Sequence, residues 1–244
     1  MSDHVPEILE HLPSLMQDGL TLLPKNQPII LFTRHSIREL VDEHGFAGYK
    51  LPLTERGRQL AGAWGNLLLE LTGRQFHTCL SSPIHRCVDT AELMLEGINK
   101  NEKAVLPEVI KTALLVEPGS FVQDDASLRP LFMQYGALEF INYFLGKEIS
   151  GMKHPVQGVL DILALLYQHL PEQDNGLLLA VSHDTILAVF LAVMQDEMTV
   201  SIEDWPDMME GVYLWFEGES FEDSLVHWVW RGVERSRLIS SFAV

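Results

Sequence analysis

The sequence predicts an α/β fold: a three-layer, mainly parallel sheet with helices on both faces. Short apolar runs, which are typical of buried strands, alternate with longer stretches whose apolar residues recur at helical spacing. Gly, Pro and Asn residues separate these segments, and hydrophobic residues make up 47% of the 244 positions, which is ample for a large core. We predict a single domain over residues 1–244, with residues 111–152 as a candidate inserted cap or substrate loop.

Six apolar runs are the predicted strands. The clearest is 177–182, whose sequence Leu-Leu-Leu-Ala-Val-Ser is apolar almost throughout. The last two runs alternate in polarity and are rich in aromatic residues, which predicts a hairpin or an edge pair. In chain order the predicted strands cover 28–33, 76–81, 104–110, 177–182, 212–216 and 225–231.

Helical segments lie between these strands. Thr54 is the expected N-cap of the second helix, and Gly73 is its expected stop. Ser82 and Pro83 predict the start of the third, with Ser82 as N-cap and Pro83 at the first helical position. The predicted helices cover 5–23, 55–71, 83–95, 138–145, 156–170 and 184–194.

Composition argues against several classes of partner. The net charge of −17 disfavours nucleic acid and anionic membranes. Residues 196–230 contain ten acidic side chains and no Lys or Arg, which indicates a solvated surface.

No apolar run approaches the roughly 20 residues of a membrane span, and the start of the chain does not have the pattern of a secretory signal. Two cysteines are too few for a disulfide framework, so a reduced, cytoplasmic protein is expected.

Charged residues follow three of the predicted strands directly. In a parallel sheet the carboxyl ends of the strands lie at one edge, where ligands bind. Arginine forks match phosphate oxygens, and a neutral imidazole can attack phosphorus. The sequence therefore predicts a phosphate pocket with a nucleophile in it. The groups involved are Arg34, His35, Ser36 and Arg38 after the first strand, Arg86 after the second, and His183 and Asp184 after the fourth.

The same segments carry a family resemblance. Arg34-His35-Ser36 matches an Arg-His-Gly signature, with Ser36 in the Gly position. Residues 53–61 match Leu-Thr-x-x-Gly-x-x-x-Ala, residues 81–91 match Ser-Ser-Pro-x-x-Arg-x-x-x-Thr-Ala, and Ser182-His183-Asp184 matches a second-histidine motif. In this order the motifs resemble those of the histidine phosphatase superfamily, whose fold is phosphoglycerate-mutase-like.

This resemblance implies a role for each matched residue. His35 would be the nucleophile that becomes phosphohistidine, and Arg34, Arg86 and His183 would hold the phosphoryl oxygens. Arg38 resembles an additional arginine of the acid-phosphatase branch, to which the chain is expected to be closer. The Ser36 hydroxyl is a further candidate for phosphate binding.

Two carboxylates are candidates for the proton donor. Asp184 is the expected one, because the acid-phosphatase branch keeps a His-Asp donor at this position. Glu117 is the alternative, because the mutase-like branch uses a glutamate from the middle of the chain. The implied reaction is hydrolysis of a small phosphomonoester, with no metal and no cofactor required.

Other functions remain open at this stage. A phosphomutase would use the same residues, and a phospholigand-binding module could keep the pocket without turnover. A metal-dependent hydrolase with His35, His183 and Asp184 as ligands is a further alternative, which the lack of a His-x-x-x-His pair disfavours.

Overall fold

The structure is a computed structural model, and it describes residues 7–39, 50–97, 106–124 and 135–242. Its centre is a seven-stranded sheet in the order β3-β2-β4-β1-β5-β6-β7. The strands are β1 (Ile29–Arg34), β2 (Gln75–Ser81), β3 (Val109–Lys111), β4 (Gly176–Ser182), β5 (Gly211–Glu217), β6 (Leu225–Trp230) and β7 (Val233–Leu238).

The sheet has a parallel half and an antiparallel half. The pairs β3–β2, β2–β4 and β4–β1 are parallel. From β1 onwards the pairs β1–β5, β5–β6 and β6–β7 are antiparallel. The predicted hairpin is thus confirmed as β5–β6, while β7 was not predicted, because its exposed sequence Val-Glu-Arg-Ser-Arg-Leu lacks an apolar run.

Helices cover both faces of the sheet, as predicted. They are α1 (Glu55–Thr72), α2 (His85–Glu96), α3 (Ala137–Gly146), α4 (Pro155–Gln168) and α5 (Asp184–Met194). Alternate residues of β1 contact the two layers. Ile29 and Leu31 pack with α1 and α2, whereas Ile30 and Phe32 pack with α3, α4 and α5.

Two helix predictions were wrong in detail. Residues 5–23 do not form one helix: from Glu7 the chain forms 3₁₀ turns at Glu7–His11 and Gly19–Leu22, with a single α-helical turn at Leu15–Asp18 between them. Helix α2 begins at His85, and Ile84 rather than Ser82 occupies its N-cap position. The Thr54 cap is confirmed, since its side chain accepts a hydrogen bond from the Gly57 amide.

That residues 111–152 form an inserted cap or substrate loop stays a prediction. Its described part holds 3₁₀ turns at Ala113–Leu115 and Gly119–Phe121, followed by α3. Residues 98–105 and 125–134 lie outside the described ranges. The predicted third strand, 104–110, is described from 106 onwards and is a strand only from Val109, as β3. Both cysteines are free and buried. Among the described residues, no helix is long and apolar enough to cross a membrane.

Candidate active site

The three charged strand ends meet, because β2, β4 and β1 are neighbours in the sheet. Backbone hydrogen bonds extend the pairing beyond the strands. The His35 amide donates to Ser182 O at 3.0 Å, and the Ser82 amide donates to Val181 O at 2.9 Å. The loops that carry the predicted residues therefore leave the sheet side by side, as expected for the carboxyl edge of a parallel sheet.

The imidazole of His35 is buried and held by a hydrogen bond at each ring nitrogen. Its Nδ1 lies 2.8 Å from Ser36 O, and its Nε2 accepts from Arg86 Nε at 2.9 Å. Since a carbonyl can only accept and a guanidinium can only donate, Nδ1 carries the proton and Nε2 the lone pair. Burial lowers the pKa of His35 well below its usual value, and the nearby Arg34 and His183 lower it further. The ring is therefore neutral at neutral pH.

His183 faces the same guanidinium. Its Nδ1 lies 3.1 Å from Arg86 Nη2, and its Nε2 lies 2.9 Å from the Ser82 hydroxyl. Its ring centroid is 5.7 Å from that of His35. Burial, followed by the charge of Arg86, lowers the pKa of His183 to about 3. Arg86, which is 2% exposed, thus donates to two neutral histidines.

Asp184 and Arg34 form an ion pair on the other side of the pocket. Arg34 Nη2 lies 2.6 Å from Asp184 Oδ2, and Arg34 Nη1 donates to Pro206 O at 2.7 Å. The Asp184 carboxylate also accepts from its neighbour Thr185 N at 3.0 Å and from Trp205 Nε1 at 3.3 Å. Three donors, from Arg34, Thr185 and Trp205, thus hold the Asp184 carboxylate in place.

Glu117 is near the same charges but is held differently. It lies on the irregular segment after β3, between the turns Ala113–Leu115 and Gly119–Phe121. Burial of its carboxyl group raises its pKa from the usual 4.5 to about 7, and the charge of Asp184 acts in the same direction. Thr185, Arg86 and Arg34 oppose the shift. Glu117 is therefore a carboxyl group that can carry a proton near neutral pH beside the arginines.

Arg38 and Ser36 occupy different surroundings. Arg38 is partly exposed and donates to its neighbour's carbonyl, Glu39 O, at 3.0 Å. Burial and the charges of Arg34 and Arg86 lower the pKa of Arg38, whereas Asp184 and Glu117 raise it, so Arg38 lies close to the predicted pocket. The Ser36 side chain is fully buried, and its hydroxyl donates to Gly57 O at 2.7 Å. The hydrogen of the Ser36 hydroxyl is therefore engaged by the backbone of α1, and a role of this hydroxyl in phosphate binding stays a prediction.

Several residues that support the site were not predicted. Thr90 accepts from the Ser36 amide at 3.0 Å and donates to Arg86 O at 2.7 Å, which ties the first two strand ends together. Gly57 allows the loop after β1 to approach α1, since a Cβ there would lie 2.1 Å from Ile37 O. Both lie within motifs already matched, at positions to which no role was given. No local signal indicated the contribution of Pro206.

Metal coordination was considered for the same cluster. Within the ranges that the structure describes, no three His, Cys, Asp or Glu side chains are grouped so as to hold a metal ion. The two histidines instead have arginine and hydroxyl groups as hydrogen-bond partners.

The fold and the sequence both resemble known proteins. By structure the chain is similar to mycobacterial hydrolase 1, at 20% identity and a TM-score of 0.55, over 83% of this chain and 98% of the other. It is similar to a mycobacterial glucosyl-3-phosphoglycerate phosphatase at 19% identity, a TM-score of 0.53 and the same coverage. A phosphoserine phosphatase from Entamoeba histolytica is 16% identical, with a TM-score of 0.52 over 78% of this chain and 92% of that one.

A comparison of the sequence with models of protein families also gives a match. No curated protein matches the chain, but residues 30–115 match the model of the histidine phosphatase superfamily (branch 1). That segment includes the first two charged strand ends, and the match does not support the expected closeness to the acid-phosphatase branch. The chain thus resembles the histidine phosphatase superfamily in sequence over residues 30–115, and it shares the fold of the solved structures named above.

Proposed function

We propose that this protein hydrolyses phosphomonoesters through a phosphohistidine intermediate on His35. The observation that carries the proposal is the state of that ring: it is neutral, its Nδ1 proton is held by Ser36 O, and its Nε2 lone pair points at the Arg86 guanidinium. A nucleophile that must attack phosphorus needs such a lone pair beside a cation that can bind the phosphoryl oxygens.

The phosphoryl group would bind between the arginines. Arg34 and Arg86 are both buried and supply fixed positive charge, and His183 borders the pocket next to Arg86. Arg38 would contact the group from the more exposed side. Phosphoryl transfer depends mainly on positioning and on neutralising the equatorial oxygens. In the first step the bond from phosphorus to the ester oxygen breaks, the bond from phosphorus to His35 Nε2 forms, and the leaving oxygen takes up a proton.

We assign that proton to Glu117 rather than to Asp184, which the sequence favoured. Asp184 is ion-paired with Arg34 at 2.6 Å and accepts two further hydrogen bonds, so both of its oxygens already have donors within the protein. The raised pKa of Glu117, about 7, matches what a general acid requires at neutral pH. In the second step water attacks phosphorus, its proton passes to the Glu117 carboxylate, and the bond to His35 breaks to release inorganic phosphate.

The leaving group would lie along the segment that carries Glu117. A surface cleft beside this residue is lined otherwise by apolar or small residues, namely Ile84, Ala113, Val116, Pro118, Gly119 and Val122. We propose that 111–152 is the substrate-binding insertion of a single domain, and that the substrate is a small phosphorylated molecule.

The decisive experiment is His35→Ala with His85→Ala as the matched control, since His85 lies in the adjacent motif but is exposed. We expect His35→Ala to lose p-nitrophenyl phosphate turnover by roughly 10⁴-fold or more and to form no phosphoenzyme when trapped at alkaline pH. His85→Ala should behave as the wild type in both assays. Turnover retained by a folded His35→Ala protein would refute the proposal. A wild-type protein that binds phosphate esters but does not hydrolyse them would favour the phospholigand-binding alternative.

A further inference from the structure

The 203–210 segment, which precedes β5, is hydrogen-bonded to Arg34 and His35 of the candidate site. Its carbonyl groups hold Arg34 at two points: Arg34 N donates to Glu210 O at 2.9 Å, and Arg34 Nη1 donates to Pro206 O at 2.7 Å. The amide of Met209 donates to His35 O at 3.3 Å. The segment therefore determines where the backbone and the guanidinium of Arg34 lie.

The same segment also contacts Asp184. Trp205 Nε1 donates to Asp184 Oδ2 at 3.3 Å, and that oxygen is the one that pairs with Arg34. A shift of the 203–210 segment would thus move both partners of the ion pair in the pocket. The 203–210 segment itself lies outside the parallel strands that carry the catalytic motifs.

One arginine holds the segment in place. Arg231 makes a bidentate pair with the buried Glu210 carboxylate, with Nε at 2.8 Å from Oε1 and Nη2 at 3.0 Å from Oε2. Its guanidinium also donates to Trp205 O, at 3.2 Å, and to Glu203 O. Arg231 therefore bonds the segment at both ends and in the middle. Glu210 belongs to the acidic 196–230 run and is buried in this ion pair. Part of that run is therefore not the solvated surface that its composition indicated.

The backbone at Arg231 is a second, independent observation. Arg231 has φ of 48° and Gly232 has φ of 73°, and they form the two-residue turn between β6 and β7. Such turns favour Asn-Gly or Asp-Gly, because a left-handed φ is unfavourable for a long side chain. An unfavourable conformation kept at a residue with this many polar contacts is typical of a position where the side chain has a role.

We propose that Arg231 is a positioning residue: through Glu210 and the 203–210 segment it sets Arg34 and Asp184 in the geometry that binds the phosphoryl group. The inference rests on the proposed phosphate site, although not on its turnover. The Arg231 guanidinium is hydrogen-bonded to Glu210, Glu203 and Trp205, all within the segment, so its effect on the pocket must pass through the segment.

The test compares Arg231→Met with Arg237→Met. Arg237 lies on β7 in the same half of the sheet and contacts Val193 O and the Phe242 ring, far from the pocket contacts. Affinity for inorganic phosphate is measured by calorimetry, and the unfolding temperature is measured in parallel. We expect Arg231→Met to weaken phosphate binding roughly ten- to hundredfold, as for loss of a charged hydrogen bond, while Arg237→Met lowers only the unfolding temperature. Arg231→Lys, which keeps the charge but not the fork, should fall between Met and the wild type.

A double variant separates positioning from general destabilisation. If Arg231 acts through Arg34, then adding Arg231→Met to Arg34→Gln should weaken phosphate binding no further. The proposal would be overturned if the losses of phosphate affinity in the two single variants multiplied in the double variant. It would also be overturned if a folded Arg231→Met or Arg231→Lys protein bound phosphate as tightly as the wild type. Because the probe is inorganic phosphate, a wild-type protein that binds phosphate but hydrolyses no ester would remove the proposed function and leave this inference standing.

Discussion

The two halves of the candidate site are built in different ways. The phosphoryl half, with His35, Arg86 and His183, lies at the ends of adjacent parallel strands and is joined by hydrogen bonds of 2.8–3.1 Å. The proposed leaving-group half lies on the irregular segment between β3 and α3, where Glu117 borders a cleft lined otherwise by apolar or small residues.

This difference separates two kinds of chemistry. Fixed cations on strand ends suit a group that has the same shape in every phosphomonoester. A segment of 3₁₀ turns and loops suits the variable part of a substrate, because loops carry specificity on a rigid scaffold. Changes in the first half should therefore affect all esters alike, and changes in the second should affect some esters more than others.

The largest effect after that of His35 is expected at Arg86. Arg86→Lys keeps the charge but cannot reach both His35 Nε2 and His183 Nδ1, which the present guanidinium contacts through different nitrogens. We expect kcat/KM to fall roughly 10²- to 10³-fold, by comparison with the loss of a single oxyanion donor. The loss should be the same for aryl and alkyl phosphates, which steady-state kinetics on both classes would measure.

Arg58→Lys is the matched control for Arg86. Arg58 lies on α1 in an exposed pair with Asp89 at 3.6 Å, and pairs of this kind contribute little. An Arg86→Lys loss that depended strongly on the leaving group would contradict the separation of the two halves.

Smaller but more selective effects are expected from the two carboxylates. Glu117→Gln should slow an alkyl phosphate about 100-fold, in the range of general acid catalysis, and p-nitrophenyl phosphate only severalfold, because nitrophenolate leaves without a proton. Asp184→Asn should slow both esters by similar factors, since it loosens Arg34 rather than removing the donor. The reverse pattern would return the donor role to Asp184.

The pH dependence gives an independent check on Glu117. The donor must be protonated, and the pKa of Glu117 is raised to about 7. In the wild type, kcat for the alkyl ester should therefore fall as pH rises through about 7. The Glu117→Gln variant should lack this fall in kcat. Ionisation of the substrate affects both proteins equally, so a difference between the two profiles reports on Glu117. A wild-type profile that matched that of the Gln variant would exclude Glu117.

The convergence of His35, Arg86 and His183 could be predicted from the sequence, for physical reasons. Apolar runs fixed three parallel strands, and parallel strands bring their carboxyl ends to one edge. Residues placed directly after those runs, such as His35 and His183, were bound to meet. The misplaced start of α2 shows the limit of local signals: Ser82 looks like a cap, but its hydroxyl lies 2.9 Å from His183 Nε2, a partner 101 residues away.

The other parts of the site depend on contacts that no local pattern records. The environment of Glu117 comes from burial and from Asp184 on another element, so spacing alone could not rank the two carboxylates. The hydrogen bond from Trp205 to Asp184 joins residues 21 positions apart, and no sequence pattern indicated it. The role of Arg231 depends on β6 and β7 being paired beside the 203–210 segment, and β7 itself has no strand-like sequence pattern.

The smallest effect is expected in the cleft beside Glu117, and it concerns substrate choice. Among the described residues that line the cleft, Glu117 is the one charged side chain, so an anionic leaving group would find no counter-charge there. The wild type should prefer phenyl phosphate to 4-carboxyphenyl phosphate by about fivefold in kcat/KM, the size of one partly screened charge interaction. These esters differ chiefly in that carboxylate.

Val122→Lys should cancel or reverse this preference, because Val122 lines the cleft and a lysine there would pair with the added carboxylate. Val233→Lys is the control, since Val233 is exposed on β7 and should leave the ratio of the two kcat/KM values unchanged. If Val122→Lys changes both esters equally, the leaving group does not lie in this cleft. The assignment of the phosphoryl half to the strand ends would then stand while that of the leaving-group half would fall.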